Sequence, residues 1–257
     1  MASPTRFING VTTAGVNTNL GMYPLPDPTE CCQMFYDNLQ YVAGDWTVTN
    51  TTSHQTIGLV AGAGGLISSV GGGSSVTSDI GAIIVNPLNV NLPVNSVSSS
   101  YPPTARLWFY CAIKATTALN DQLQIGITSA NAALTPSDGI YFNKAAGSTA
   151  ITCVVRKSSS SLAATAYSTG STTVATLADA TFIELGFFYD GKGYVNVYVN
   201  EALVNRIDVG GSTGTVAATF PQAVALGAGW GCKAAATAPT TADIIVDFML
   251  ASQDRPY

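Results

Sequence analysis

The stretch Phe182-Ile183-Glu184-Leu185-Gly186-Phe187-Phe188-Tyr189-Asp190-Gly191-Lys192-Gly193-Tyr194-Val195-Asn196-Val197-Tyr198-Val199-Asn200 decides the fold. Ile183, Leu185, Phe187 and Tyr189 occupy every second position, and so do Val195, Val197 and Val199 beyond the turn. Successive side chains of a strand point to opposite faces, so this period marks strands with one buried face. Asp190-Gly191-Lys192-Gly193 reverses the chain: an aspartate that bonds its own backbone, and glycines free to take positive φ. The unit is a hairpin. Residues 186–193 also imitate a phosphate-binding loop, but no Ser or Thr follows Lys192 to hold magnesium. A strand also stands where that loop requires a helix.

The same period spreads outward. Leu107, Phe109, Cys111 and Ile113 alternate with Trp108, Tyr110, Ala112 and Lys114, and short apolar runs cover 123–128, 139–142 and 151–155. Asn200-Glu201 marks a second turn, leading to a strand over 203–209. A closing strand is expected to place Ile244, Val246, Phe248 and Leu250 inward, with Asp243 and Asp247 outward. No long segment repeats at 3.6 residues. Residues 58–81 and 158–173 are rich in Ser, Thr and Gly and read as long loops or weak edge strands. The fold class is therefore all-β, two packed antiparallel sheets. Residues 1–34 read as an extended N-terminal arm, and residues 35–257 as the sandwich. Pro24, Pro26 and Pro28 bar helix from the arm. Phe7, Ile8, Val11, Leu20, Met22 and Leu25 suit an arm laid on a neighbour.

Composition narrows the function. Of 257 residues, 47% are hydrophobic and only 10% charged, against about 25% charged in ordinary domains. Such a surface tolerates being covered in a permanent assembly. The net charge is −5, with no basic cluster to neutralise phosphates, which argues against nucleic acid. The oiliest region, 59–73, is broken by Gly and Ser and does not read as a membrane span. The first residues lack the apolar stretch of a signal peptide, so synthesis in the cytoplasm without a membrane anchor is expected.

Catalytic chemistry finds little footing. His54 is the only histidine and sits in a polar run without a nucleophile motif, which leaves a zinc site short of ligands. Cys31, Cys32, Cys111, Cys153 and Cys232 are odd in number, lack C-x-x-C spacing and read as buried reduced thiols. Asp121, Asp138, Asp190 and Asp208 flank turns without the spacing of a calcium loop. Glycoside hydrolysis needs two placed carboxylates. Glu30, Glu184 and Glu201 are the only glutamates, and Glu184, beside Gly186 and Phe188, reads as a solvent- or interface-facing strand residue. No catalysis, cofactor or metal is expected. Tyr194, Asn196 and Tyr198 share a strand face and form the best binding candidate. Rings plus an amide suit sugar stacking and hydrogen bonding, a subunit interface, or an ordinary solvent face.

The order Arg106-Leu107-Trp108-Phe109, Asp138-Gly139-Ile140-Tyr141-Phe142-Asn143-Lys144, Leu185 to Lys192, Val197-Tyr198-Val199-Asn200 and Val246-Asp247-Phe248 resembles the concanavalin A-like, or laminin-G-like, jelly rolls. Among these it looks like the jelly rolls of tailed-bacteriophage virion proteins. The leader Arg6-Phe7-Ile8-Asn9-Gly10-Val11-Thr12, with Leu20-Gly21-Met22-Tyr23 and Leu25-Pro26-Asp27-Pro28-Thr29, is similar to the leader of that group. The likeness covers nearly the whole chain and is loosest over 55–100. It implies a virion structural protein, a capsid decoration or cement subunit bound outside the major capsid protein and commonly trimeric. Arg6, Phe7, Ile8, Leu20, Met22 and Leu25 of the arm would then grip the shell. The alternative is a lectin-like module of a head or tail fibre that binds a host glycan through Tyr194, Asn196 and Tyr198. The chain departs from sandwich-fold glucanases by lacking the Glu-x-Asp-x-x-Glu triad. It departs from legume-type lectins by lacking their metal-binding loop.

Overall fold

Alternation of apolar and polar residues closes into two antiparallel sheets in the computed structural model. The structure describes Pro26 and residues 30–36, 46–50, 55–60, 66–72, 80–85, 98, 100–119, 121–129, 134–163, 172–234 and 241–254. Among these residues there is no helix. The strands, in chain order, are β1 (Cys31–Tyr36), β2 (Trp46–Asn50), β3 (Gln55–Val60), β4 (Leu66–Gly72), β5 (Ile80–Val85) and β6 (Leu107–Lys114). They continue with β7 (Asp121–Thr128), β8 (Gly139–Lys144), β9 (Ala150–Lys157), β10 (Ser160–Ala163) and β11 (Thr173–Thr176). The last are β12 (Ile183–Tyr189), β13 (Tyr194–Val199), β14 (Ala202–Asp208), β15 (Gly227–Ala234) and β16 (Thr241–Asp254).

The first sheet runs β14-β13-β12-β6-β16-β4-β3, with β1 also on β16. The second runs β10-β9-β8-β7-β15-β5-β2, with β11 also on β9. The expected all-β, two-sheet jelly-roll sandwich is what the chain forms. The chain stays within one sheet from β3 to β4, from β7 through β11 and from β12 through β14, and crosses between sheets at every other connection. The core lies between the sheets. Leu107, Phe109, Cys111 and Ile113 of β6 and Leu185, Phe187 and Tyr189 of β12 meet Leu123, Ile125 and Ile127 of β7, Phe142 of β8 and Trp230 of β15.

The hairpin that decides the fold forms as expected, with Phe187 opposite Val197. Lys192 N–H and Tyr194 N–H donate to Asp190 Oδ1 at 2.7 and 3.1 Å. Gly191 and Gly193 take φ of 70° and 100°. A side chain at Gly191 would strike the Thr104 carbonyl, and one at Gly193 the backbone of Gly211. The turn before β14 holds Asn200 and Glu201 at φ 46° and 66°, the pairing of positive angles that lets a two-residue loop follow the twist of its strands.

Three expectations change. β1 begins at Cys31, inside the segment read as arm, because Cys31–Tyr36 pairs with the far half of β16. In the run 58–81, β4 is an interior strand between β3 and β16, since backbone pairing does not require large side chains. In β16 the register shifts between Val246 and Phe248. Asp247 is the extra residue of this bulge, so the alternation inverts after it. Ile244 and Val246 face the core as expected, but Met249 and Ala251 take the inward positions beyond. Phe248 and Leu250 therefore face outward, the reverse of their expected direction.

Candidate functional site

The outward side of the first sheet carries an aromatic cluster. Trp108, Tyr110, Tyr198, Leu250 and Cys31 are 1–6% exposed, with Phe188 and Phe248 packed against them. Trp108 stacks on Phe188 with centroids 5.1 Å apart, and Tyr110 lies 5.4 Å from Phe248. Gly186 separates Tyr110 from Tyr198 across the sheet. Tyr110 donates its hydroxyl to Glu184 Oε2. Burial, that bond and the carboxylate's charge all push the phenol's pKa upward. Glu184 is thereby committed to a structural partner on this face.

Of the residues read as a binding face, Tyr194, Asn196 and Tyr198 do share this side of β13. Their rings are already employed. The Arg206 guanidinium sits 3.4 Å from the Tyr194 centroid, and the Gly211 backbone closes on the same ring, leaving no room for a Cβ there. Tyr198 is 6% exposed within the aromatic cluster, where burial raises its pKa to about 12. Asn196 is half-buried beside them. The arm residues Arg6, Phe7, Ile8, Leu20, Met22 and Leu25, and His54, lie outside the described residues.

An ion cluster closes one corner of this face. Arg106 donates through Nε and Nη2 to Asp254 at 3.0–3.2 Å, and its backbone N–H donates to the same carboxylate at 2.7 Å. The guanidinium also lies 3.6 Å from Glu30 and 5.0 Å from the Trp108 ring centroid. Asp254 further accepts from the Cys31 thiol at 3.6 Å. Burial first, then the Asp254 charge, raises that thiol's pKa to about 11.

The opposite side of the molecule is different in kind. In β7, Leu123, Ile125 and Ile127 face the core, so Gln122, Gln124, Gly126 and Thr128 face out. In β15, Ala228, Trp230 and Cys232 face in, leaving Gly227, Gly229 and Gly231 outward. Register sets Gly229 beside Gly126 and Gly126 beside Tyr141. It sets Gly231 beside Gln124, Gln124 beside Asn143, and Gly139 between Thr128 and Arg156. The result is a glycine floor edged by Gln124, Thr128, Tyr141, Asn143 and Arg156. Glycine is obligatory at two floor positions. Gly126 has φ 156°, and a Cβ there would lie 2.5 Å from the Ile140 carbonyl oxygen; Gly139 has φ 152°, with the Ile127 carbonyl at 2.6 Å.

Two polar atoms on this floor are uncommitted. Gln124 is 4% exposed and donates through Nε2 to Thr128 Oγ1 at 3.4 Å, but its Oε1 is buried with no partner among the described residues. Arg156 donates through Nη2 to the Ser159 carbonyl at 3.1 Å, while its Nε is buried and unpaired. Tyr141, 4% exposed, has a phenol raised by burial and partly brought down by the adjacent Arg156. A buried orphan costs about 1–3 kcal/mol, so the acceptor and the donor left without a protein partner on this face are the polar atoms that a bound water or ligand would complete. The alternation of glycine with core residues in Gly227-Ala228-Gly229-Trp230-Gly231-Cys232 is the signal in the sequence that marks this floor.

Other polar groups are structural. Asp138 accepts from Ser137 Oγ at 2.6 Å and Ser158 N–H at 2.9 Å, and Asp208 accepts from Gly210 N–H at 2.8 Å. Among the described residues no three His, Cys, Asp or Glu side chains converge as metal ligands. Cys31, Cys111, Cys153 and Cys232 are free thiols in buried positions.

No protein-family model matches the chain, and no curated protein matches it in sequence. Solved structures do. A protein of unknown function from Shewanella oneidensis MR-1 aligns at TM-score 0.56 and 16% identity, over 89% of this chain and 90% of its own. The β-glucanase of Bacillus licheniformis aligns at 0.56 and 9% identity, over 87% and 98%. A GH16 protein of Bacteroides ovatus, in complex with a G4G4G3G product, aligns at 0.53 and 8% identity, over 84% and 98%. At such identities the likeness is one of fold: this chain is a concanavalin A-like jelly-roll sandwich.

Proposed function

We propose that this chain is a non-catalytic glycan-binding sandwich whose ligand lies on the outward face of the second sheet. The observation that carries the reading is the pair of uncommitted buried atoms, Gln124 Oε1 and Arg156 Nε, over the glycine floor. A sugar offers hydroxyls that donate and accept at once, and so completes both. The flat floor admits a ring close to the backbone, and Tyr141 adds an aromatic edge to a mainly polar surface. Sandwiches of this shape include the glucanase and the product-bound GH16 protein named above, which lends the reading support.

Binding without turnover follows from residue types. Glycoside hydrolysis requires a proton donor and a second carboxylate flanking the bond. The outward positions of β7, β8, β9 and β15 that edge the floor carry amides, hydroxyls, a phenol and a guanidinium, but no carboxylate. Glu184 belongs to the other sheet and is held by Tyr110. Shell attachment, expected from the leader and the low charge, draws on no feature of this geometry, and glycan binding takes its place as the lead reading. In a virion such a module would serve attachment to a host surface.

The test is affinity electrophoresis and a glycan array with the full chain. A retained polysaccharide is expected, with binding weakened about tenfold or more by Gln124→Ala or Arg156→Ala, while thermal unfolding stays cooperative. A blank array sinks the reading. Release of reducing ends from the retained polysaccharide would overturn its non-catalytic part.

A further inference from the structure

Charge on the glycine floor is confined to one side chain. Among the described residues that edge it, Gln124, Thr128, Tyr141 and Asn143 are neutral and Arg156 is cationic. The two other described arginines each have a carboxylate. Arg106 holds Asp254 through Nε and Nη2 at 3.0–3.2 Å, and Arg206 lies 4.0 Å from Asp190. Arg156 has no such partner among the described residues: its Nη2 donates to the Ser159 carbonyl, and its Nε is unpaired. Asp138, next to Gly139 at the rim, turns its two oxygens to Ser137 Oγ at 2.6 Å and Ser158 N–H at 2.9 Å instead. We propose that the glycan held on this face is acidic, a sugar whose carboxylate pairs with Arg156. The inference rests on the glycan reading above and narrows it to a chemical class.

Register brings the rest of the floor to the guanidinium. Gln124 Nε2 reaches Thr128 Oγ1 at 3.4 Å, so the amide lies along β7 toward Thr128. Thr128 and Arg156 stand on either side of Gly139, and two strand spacings set them about 10 Å apart. Gly139 puts no side chain between them, and the Ile127 carbonyl leaves no room for one. A sugar ring laid there turns a carboxylate to Arg156 and a hydroxyl to Gln124 Oε1, the unpaired acceptor of a residue only 4% exposed. A guanidinium suits a carboxylate better than a neutral hydroxyl, because two N–H groups match two oxygens and each bond is charge-assisted. Arg106 uses its own Nε and Nη2 in this way within the same molecule. A chain of net charge −5 does not draw polyanions from a distance. Recognition of the acid therefore falls to this local cation.

The experiment compares retention of the full chain by polygalacturonate and hyaluronate with retention by the same polymers after carboxyl reduction, using affinity electrophoresis. An acidic polymer should be bound about tenfold or more tightly than its neutral counterpart, and Arg156→Gln should erase the difference. The comparison of polymers uses the unmodified protein, so it decides the matter even where the variant fails to fold. Equal retention of acidic and reduced forms would overturn the acidic ligand while leaving glycan binding in place. Retention of neither form, with a neutral glycan bound on the array, would do the same. Retention of neither with a blank array would remove both readings. A preference that survives in folded Arg156→Gln would overturn the part given to Arg156. Dextran sulfate held as tightly as the polyuronates would show that charge alone is read, and would overturn the carboxylate.

Discussion

Gly126 and Tyr194 show how a single position divides between packing and recognition. At Gly126 the backbone angle and the Ile140 carbonyl leave no space for a methyl group. Gly126→Ala should lower stability by about 1–3 kcal/mol, read as a shift in the urea midpoint, and should weaken any ligand on the floor. Tyr194 looked like a sugar platform because alternation places it outward. Alternation reports only which side of a sheet a ring occupies; whether the ring is free depends on Arg206 and Gly211, which reach it from β14 and the following loop. Gln124 was overlooked for the converse reason. Its strand reads as an ordinary amphipathic run, and its unpaired oxygen exists only once β15 brings glycines alongside.

Among the elements, the β12–β13 hairpin and β6 were legible because each repeats period two without interruption, and β7, β8 and β9 because each is a short apolar run bounded by turn residues. β16 was legible only to Val246. A bulge is one extra residue, and nothing in Val246-Asp247-Phe248 distinguishes it from continued alternation until β6 fixes the register. The bulge makes a sharp prediction. Deleting Asp247 restores even pairing while keeping Phe248 opposite Ala112 and Met249 opposite Cys111. That variant should still unfold cooperatively by calorimetry, whereas deleting Met249 would swing Leu250 inward and Ala251 outward and should abolish the transition. In the hairpin turn, Asp190→Ala removes the acceptor of two backbone N–H groups. It should cost about 2 kcal/mol, measured by chemical denaturation.

The whole molecule carries a pH signature from groups kept neutral by burial. Cys31 is raised from 9.0 to about 11 and Tyr198 from 10.0 to about 12, both chiefly by desolvation. Tyr110 and Tyr189 are raised further still. In each case the unfolded chain releases its proton first as pH rises, so the stabilisation is complete below pH 9 and drains away through pH 12. Stability followed by denaturant titration should therefore be flat from pH 7 to 9 and fall progressively above. Absorbance at 295 nm should show a phenol fraction that ionises only as the fold is lost. A flat stability profile to pH 12 would contradict the burial described for these groups.

The arrangement around β16 also bears on biogenesis. β1, β4 and β6 all pair with β16, which accepts β6 along one flank and β4 and β1 along the other, and so joins β1, β3 and β4 to the β6-β12-β13-β14 half of the sheet. All three are synthesised before it. On a translating ribosome they must wait with unsatisfied edges until β16 emerges, so this half of the molecule assembles late, and chaperone demand should peak just before that moment.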